Sequence, residues 1–120
     1  MFITLGRDAY VRPHRHTGRK EGLMVLEGSA DLITFSDSGE PQQIVRLNSN
    51  CFYSHLDEPL YHMLRIHSDF LVFYEATSGP FQPSDTEFPS WAPSDTQTDW
   101  IDEFLQKIDS HLESISKSIP

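Results

Sequence analysis

At 120 residues the chain is long enough for one packed core and too short for two. Eight Phe, four Tyr and two Trp, with 38% hydrophobic and 22% charged residues, exclude a disordered chain. A formal net charge of -9 argues against a nucleic-acid partner or an anionic membrane surface, both of which call for positive charge.

The opening Met1-Phe-Ile-Thr-Leu-Gly6 has neither a basic n-region nor a long apolar stretch, so no signal peptide is expected. No run reaches the ~18 apolar residues of a membrane-spanning helix. Short runs rich in β-branched, aromatic and aliphatic residues predict strands over 9–16, 22–27, 30–36, 43–47, 51–55, 61–67 and 70–76. Asp37-Ser-Gly39 predicts a tight hairpin, and His67-Ser-Asp69 a second reversal. Many short strands joined by turns point to an all-β antiparallel sandwich or small barrel. Leu23-Met-Val-Leu26 and Phe70-Leu-Val-Phe-Tyr74 are apolar on both faces, so a homodimer through one such face is expected. Cys51 is the only cysteine and sits in an apolar run. It reads as a core residue, and without a possible intrachain disulfide a cytoplasmic setting is expected.

After Thr77 the composition turns Pro-rich and polar, with Phe81, Phe88 and Trp91 spaced through it. These aromatics predict an ordered wrapping segment rather than a linker. A helix is predicted over 99–116, where Trp100, Ile101, Phe104, Leu105, Ile108, Leu112 and Ile115 form one apolar stripe. The expected layout is a β-barrel over 1–77, a wrapping segment of the same domain over 78–98, and a C-terminal helix within 99–120.

The chemistry concentrates in His14-Arg-His16 and Glu21. On a strand alternate side chains share a face, so His14 and His16 point the same way. A turn at Gly18 brings Glu21 back beside them on the next strand. Two imidazoles and a carboxylate on one face, with open positions left, suit iron, zinc, manganese or nickel. Five of the nine basic residues lie between Arg7 and Lys20, a local reversal of charge that suits an anionic small molecule.

The spacing His14-x-His16-x4-Glu21-x6-Gly28 resembles the first motif of the cupins, small antiparallel β-barrels that bind one divalent metal. Tyr10-Val-Arg-Pro-His-Arg-His16, Val25-Leu-Glu-Gly28, Ile33-Thr-Phe-Ser-Asp-Ser-Gly39, Gly79-Pro-Phe-Gln-Pro83 and Phe88-Pro-Ser-Trp-Ala-Pro93 resemble the WbuC-type cupin-fold metalloproteins. The resemblance implies a cupin (jelly-roll) barrel and one metal ion, and suggests a link to surface-polysaccharide metabolism. Its last ligand follows a Pro-x-Gly-x-x-His turn. The matching stretch is Asp57-Glu-Pro-Leu-Tyr-His62, which puts Asp57 and Pro59 where the family has Pro and Gly. His62 is thus the implied fourth ligand, and strand alternation agrees, because it shares a face with Leu64 and Ile66. Given the altered turn, losing His62 is expected to cost less metal than losing His16 or Glu21, with His55 as the stand-by ligand.

Tyr10 and Arg12 precede His14 at even spacing and, with Tyr61, are the substrate-binding candidates; Arg12 could clasp a carboxylate or phosphate as a fork. No general base stands beside the metal ligands in the sequence, which disfavours proton-shuttling epimerase chemistry. Three readings stay open: a metal-dependent enzyme acting on a small anionic or carbohydrate-related metabolite, a non-catalytic module that binds such a molecule, and a structural dimer in which the metal is incidental.

Overall fold

The computed structural model describes residues 1–79 and 82–118, so Phe81 of the wrapping segment lies outside the described residues. Among the described residues nine strands precede one α-helix: β1 (Phe2–Gly6), β2 (Arg15–His16), β3 (Glu21–Glu27), β4 (Ala30–Phe35), β5 (Pro41–Leu47), β6 (Tyr53–Leu56), β7 (Tyr61–Ile66), β8 (Phe70–Thr77), β9 (Thr86–Glu87) and α1 (Thr98–Ser118), with a 3-10 turn at Pro83–Asp85 before β9. They form a four-stranded sheet ordered β1-β8-β3-β6, a three-stranded sheet ordered β5-β4-β7, and a small β2-β9 ladder. Every strand pairing is antiparallel.

Alternation builds two cores. Leu23, Val25, Leu71 and Phe73 of the larger sheet meet Ala30, Leu32, Leu64 and Ile66 of the smaller one. The opposite face of the three-stranded sheet carries Ile33, Phe35, Tyr61 and Met63, which pack under Ile108 and Leu112 of α1. The helix is fixed further where Arg65 donates from Nε and Nη2 to the two carboxylate oxygens of Asp109, at 2.8 and 2.9 Å. Of the predicted stripe, Trp100 stays 36% exposed.

The hairpin closes as expected: Gly39 takes φ 97°, and its N–H donates to Ser36 O at 3.0 Å. A Cβ on Gly39 would also stand 2.8 Å from the Trp91 ring, which packs over the turn and donates from Nε1 to Asp37 O at 2.9 Å. Trp91 thereby ties the wrapping segment to the outer side of β4, with Phe35 5.0 Å away between ring centroids.

Three expectations need correction. Within residues 9–16 only Arg15–His16 form a strand; Pro13 has no N–H to give a ladder, and His14 makes an isolated bridge to His62. Cys51 is exposed, because the side-chain oxygen of Asn48 accepts from the N–H groups of Asn50 and Cys51 and bends the chain before β6 begins. The start of the chain, read only as an untargeted N-terminus, supplies the edge strand β1 along β8. Among the described residues no helix is long and apolar enough to cross a membrane.

Candidate metal centre

His14, His16, Glu21 and His62 converge, each offering one ligand atom, with all four atoms within 4.8 Å of one another. Each comes from a different constraint. His14 is held by a double backbone bridge: its N–H donates to His62 O at 3.1 Å, and the N–H of His62 donates to His14 O at 2.9 Å. His16 belongs to β2, whose partner β9 comes from the wrapping segment. Glu21 opens β3 facing inward, and His62 faces inward from β7, at 5% and 4% exposure. The Nε2 of His62 lies 3.1 Å from one Glu21 oxygen, and the Nε2 of His16 lies 3.6 Å from the other. The altered turn before His62 does not keep its ring from the cluster.

Burial and charge set the protonation of these groups. Burial, with the neighbouring His62 second, pulls His14 down to about 4. Burial also lowers His16, against the opposing pull of Glu21. For Glu21, burial alone would raise the carboxyl; hydrogen bonds from His62 and Glu75 and the histidine charges outweigh it and hold the group well below its ordinary range. All three shifts favour the forms that ligate a cation, neutral imidazole and ionised carboxylate.

Three imidazoles and one carboxylate at this separation fit a divalent first-row cation. The contraction needed to reach ~2.0–2.2 Å bonds is small, and sites on an octahedral ion stay open. Two of the imidazoles are also oriented from outside. His14 Nδ1 donates to Arg12 O at 2.7 Å and His62 Nδ1 donates to Leu60 O at 2.9 Å, which turns both Nε2 atoms toward the centre.

A cavity of about 930 Å³ opens beside His14 and His16, and Tyr10, Arg12 and Phe88 line it. Arg12 lies over the Phe88 ring, 3.9 Å from its centroid, and its buried Nε has no hydrogen-bond partner among the described residues. The Tyr10 hydroxyl donates to Pro93 O at 2.9 Å, and burial pushes it up to about 12. Tyr10 therefore acts as a wall rather than a free hydroxyl. Tyr61 is on the other face of its strand, under α1, with the Arg15 guanidinium 4.4 Å from its ring centroid, and does not line this cavity. His55 stands on the outer face of β6, paired with Asp57 at 3.1 Å and 58% exposed, and does not join the cluster.

Sequence reasoning missed two residues. Glu75 follows Leu71 and Phe73 on the inward face of β8, diagonal to Glu21, and lines the cavity. Burial and the Glu21 carboxylate push its carboxyl up to about 8. A glutamate in phase with two buried apolar residues was the available signal. So a carboxyl does stand beside the ligand cluster, where none was expected. Arg19, counted above only as one of the basic residues between Arg7 and Lys20, is just 9% exposed and reaches His16.

Comparison with known proteins shows the fold. A family described as a domain of unknown function (DUF6016) matches residues 1–47, a stretch that holds His14, His16 and Glu21 but not His62. No curated protein matches. Among solved structures, a 3,4-ketoisomerase from Helicobacter canadensis aligns with TM-score 0.59 at 13% identity, covering 72% of this chain and 66% of its own. A 4-keto-6-deoxy sugar epimerase from Streptomyces spheroides aligns with TM-score 0.61 at 18% identity, covering 73% and 49%. A sugar 3,4-ketoisomerase from Thermoanaerobacterium thermosaccharolyticum, solved in complex with TDP, aligns with TM-score 0.58 at 18% identity, covering 89% and 72%. The chain spans about half to two thirds of the length of the first two. These neighbours are described as ketoisomerases and a sugar epimerase, and at such identities the likeness concerns fold alone.

Proposed function

We propose that this chain is a WbuC-type cupin that holds one divalent metal on His14, His16, Glu21 and His62 and acts as an enzyme on a small anionic, carbohydrate-related metabolite. The observation that carries this reading is the convergence of four donor atoms within 4.8 Å at the edge of a cavity that Arg12 also lines. The domain layout follows the sequence reading: a closed jelly-roll barrel over 1–77, the wrapping segment over 78–98 and the helix in 99–120, all one unit.

A bound cation would act as a Lewis acid on a substrate oxygen. The protein groups do the rest. Arg12, stacked on Phe88, binds an oxyanion, since a buried guanidinium edge without a partner is costly until an anion satisfies it. Tyr10 and Phe88 exclude water along one wall. Glu75 places a carboxyl within the same cavity, which makes proton transfer on a carbohydrate carbon compatible with the site, in line with the chemistry named for the structural neighbours.

The protein is further proposed to be a cytoplasmic homodimer without nucleic-acid or membrane partners. Its interface is the outer face of the β1-β8-β3-β6 sheet, where Phe2, Leu26, Tyr53 and Phe70 are each about half exposed or more. Elemental analysis of anaerobically purified protein, followed by turnover screening against nucleotide sugars and small sugar acids, tests the function. Stoichiometric metal with turnover supports the enzyme, metal with tight binding but no turnover supports the non-catalytic module, and metal-free protein refutes both.

A further inference from the structure

The three histidines of the centre are not equivalent, and the difference lies in their outward nitrogens. A carbonyl oxygen only accepts, so Nδ1 of His14 and of His62 must carry the ring proton that each gives to Arg12 O or Leu60 O. Their Nε2 atoms face the centre, that of His62 at 3.1 Å from a Glu21 oxygen. For His16 the outward partner is Arg19, whose Nη2 stands 2.8 Å from Nδ1. A guanidinium only donates. Nδ1 of His16 must then hold the lone pair, and the neutral ring carries its proton on Nε2, the nitrogen that faces Glu21 at 3.6 Å. An Nε2 that bears a proton cannot ligate.

We propose that Arg19 is a latch that holds His16 in its non-ligating tautomer, and that a small oxyanion releases it, so the centre takes a divalent cation and an anion together. The inference rests on the metal-centre reading above and adds to it a positioning residue and an order of assembly. The ligating tautomer of His16 already has an acceptor waiting, because Thr86 Oγ1 lies 3.1 Å from the same Nδ1. To use it, the ring moves its proton from Nε2 to Nδ1 through solvent, and Arg19 must leave. No net proton is gained or lost. Arg19 and Arg12 line the same cavity, so a guanidinium turned away from His16 brings a second fork to the anion that Arg12 awaits. Glu75 also faces Arg19, and it lines this cavity together with Asp95 and Tyr74; an oxyanion competes with the carboxyl groups of Glu75 and Asp95 for the released guanidinium. Because the coupling is thermodynamic, it runs both ways: the anion tightens the metal, and the metal tightens the anion.

The test is long-range nitrogen–proton NMR on the full chain labelled at histidine, at about pH 7.5, above the ordinary imidazole pKa of about 6.5. The metal-free protein is expected to show His14 and His62 protonated on Nδ1 and His16 protonated on Nε2. Saturating zinc should switch His16 alone to Nδ1–H. Zinc affinity, measured by calorimetry with sulfate replacing chloride at constant ionic strength, should rise about fivefold or more. In Arg19→Leu, His16 should sit as Nδ1–H without metal, and the sulfate effect should vanish. Thr86→Val, which removes the waiting acceptor at a partly exposed position, should weaken zinc several-fold while leaving the metal-free tautomers as they are. His16 found as Nδ1–H in the metal-free wild type overturns the latch, as does a sulfate effect that survives Arg19→Leu. Zinc affinity unchanged in Thr86→Val overturns the tautomer exchange. If no zinc binds at all while His16 still sits as Nε2–H, the latch stands and the metal centre falls.

Discussion

Replacing Ile108 with alanine should loosen α1 without touching the metal centre. Ile108 is 6% exposed and sits among Ile33, Phe35, Tyr61 and Met63. The change deletes three carbons, worth about 2.4 kcal/mol at ~0.8 kcal/mol each, and leaves a cavity that adds to the cost. The helix rests on one sheet face and can settle partway into the gap, which keeps the total near 3 kcal/mol. An entropy of unfolding of ~2.1 cal/mol/K per residue makes each kcal/mol worth about 4 °C in a chain of this size. The melting temperature in differential scanning calorimetry should therefore fall by about 12 °C. Glu103→Ala, which removes an exposed partner of Lys107 at 3.7 Å, should change it by less than about 2 °C. Metal affinity should stay within about twofold in Ile108→Ala. Tyr61 carries the contact with α1 on one strand face, while His62 points the other way and is pinned by its backbone bridge to His14. A fall of less than about 4 °C would refute the docking of α1 on the sheet. A metal affinity that collapsed with the helix would refute the separation of the two faces.

Glu21→Ala and His62→Ala should each abolish stoichiometric metal in elemental analysis, and His16→Ala should cost less, since Arg19 already engages that ring; equal retention in His62→Ala would refute the geometry. In the metal-free protein His14 should subtract stability as pH falls from about 6.5 to 4, because burial lowers it to about 4 and the unfolded chain there binds a proton that the folded chain refuses, while Glu75, raised to about 8, contributes with the opposite sign over part of the same window. Above about pH 7 the His14 contribution is flat, and His14→Gln should remove it from the pH dependence of thermal melts. A difference in melting temperature between wild type and His14→Gln that stayed constant across the window would contradict the buried neutral histidine. In sedimentation, the wild type should be a dimer and Phe2→Glu/Phe70→Glu a monomer, because both residues stand exposed on the outer sheet face; a monomeric wild type would refute that interface.

What was legible in the sequence is what local physics encodes. The hairpin at Gly39 needs only a turn and two alternating strands, and His14, His16 and Glu21 lie close enough in sequence for periodicity to place them. His62 needed a family likeness, yet alternation with Leu64 and Ile66 assigned its face correctly. Contacts across long sequence separations were not legible. Glu75 meets Glu21 only because β8 lies antiparallel beside β3, and Thr86 reaches His16 only because the wrapping segment adds a strand. Cys51 and residues 9–13 misled for another reason: apolar composition resembles a strand even where an Asn side chain or a proline withdraws the backbone hydrogen bonds.

The ligand cluster draws one strand from each of the three sheets: His16 from β2, Glu21 from β3 and His62 from β7. A cation seated there would work as a rivet through the whole assembly. Its grip would be a gauge of global order, because no two-sheet intermediate presents the full set of donors. Sliding either large sheet against the other would stretch bonds to the ion before it opened any hydrophobic surface. Resistance to unfolding would then be decided at one point, and removing the ion should speed unfolding by nearly the full factor by which it lowers equilibrium stability.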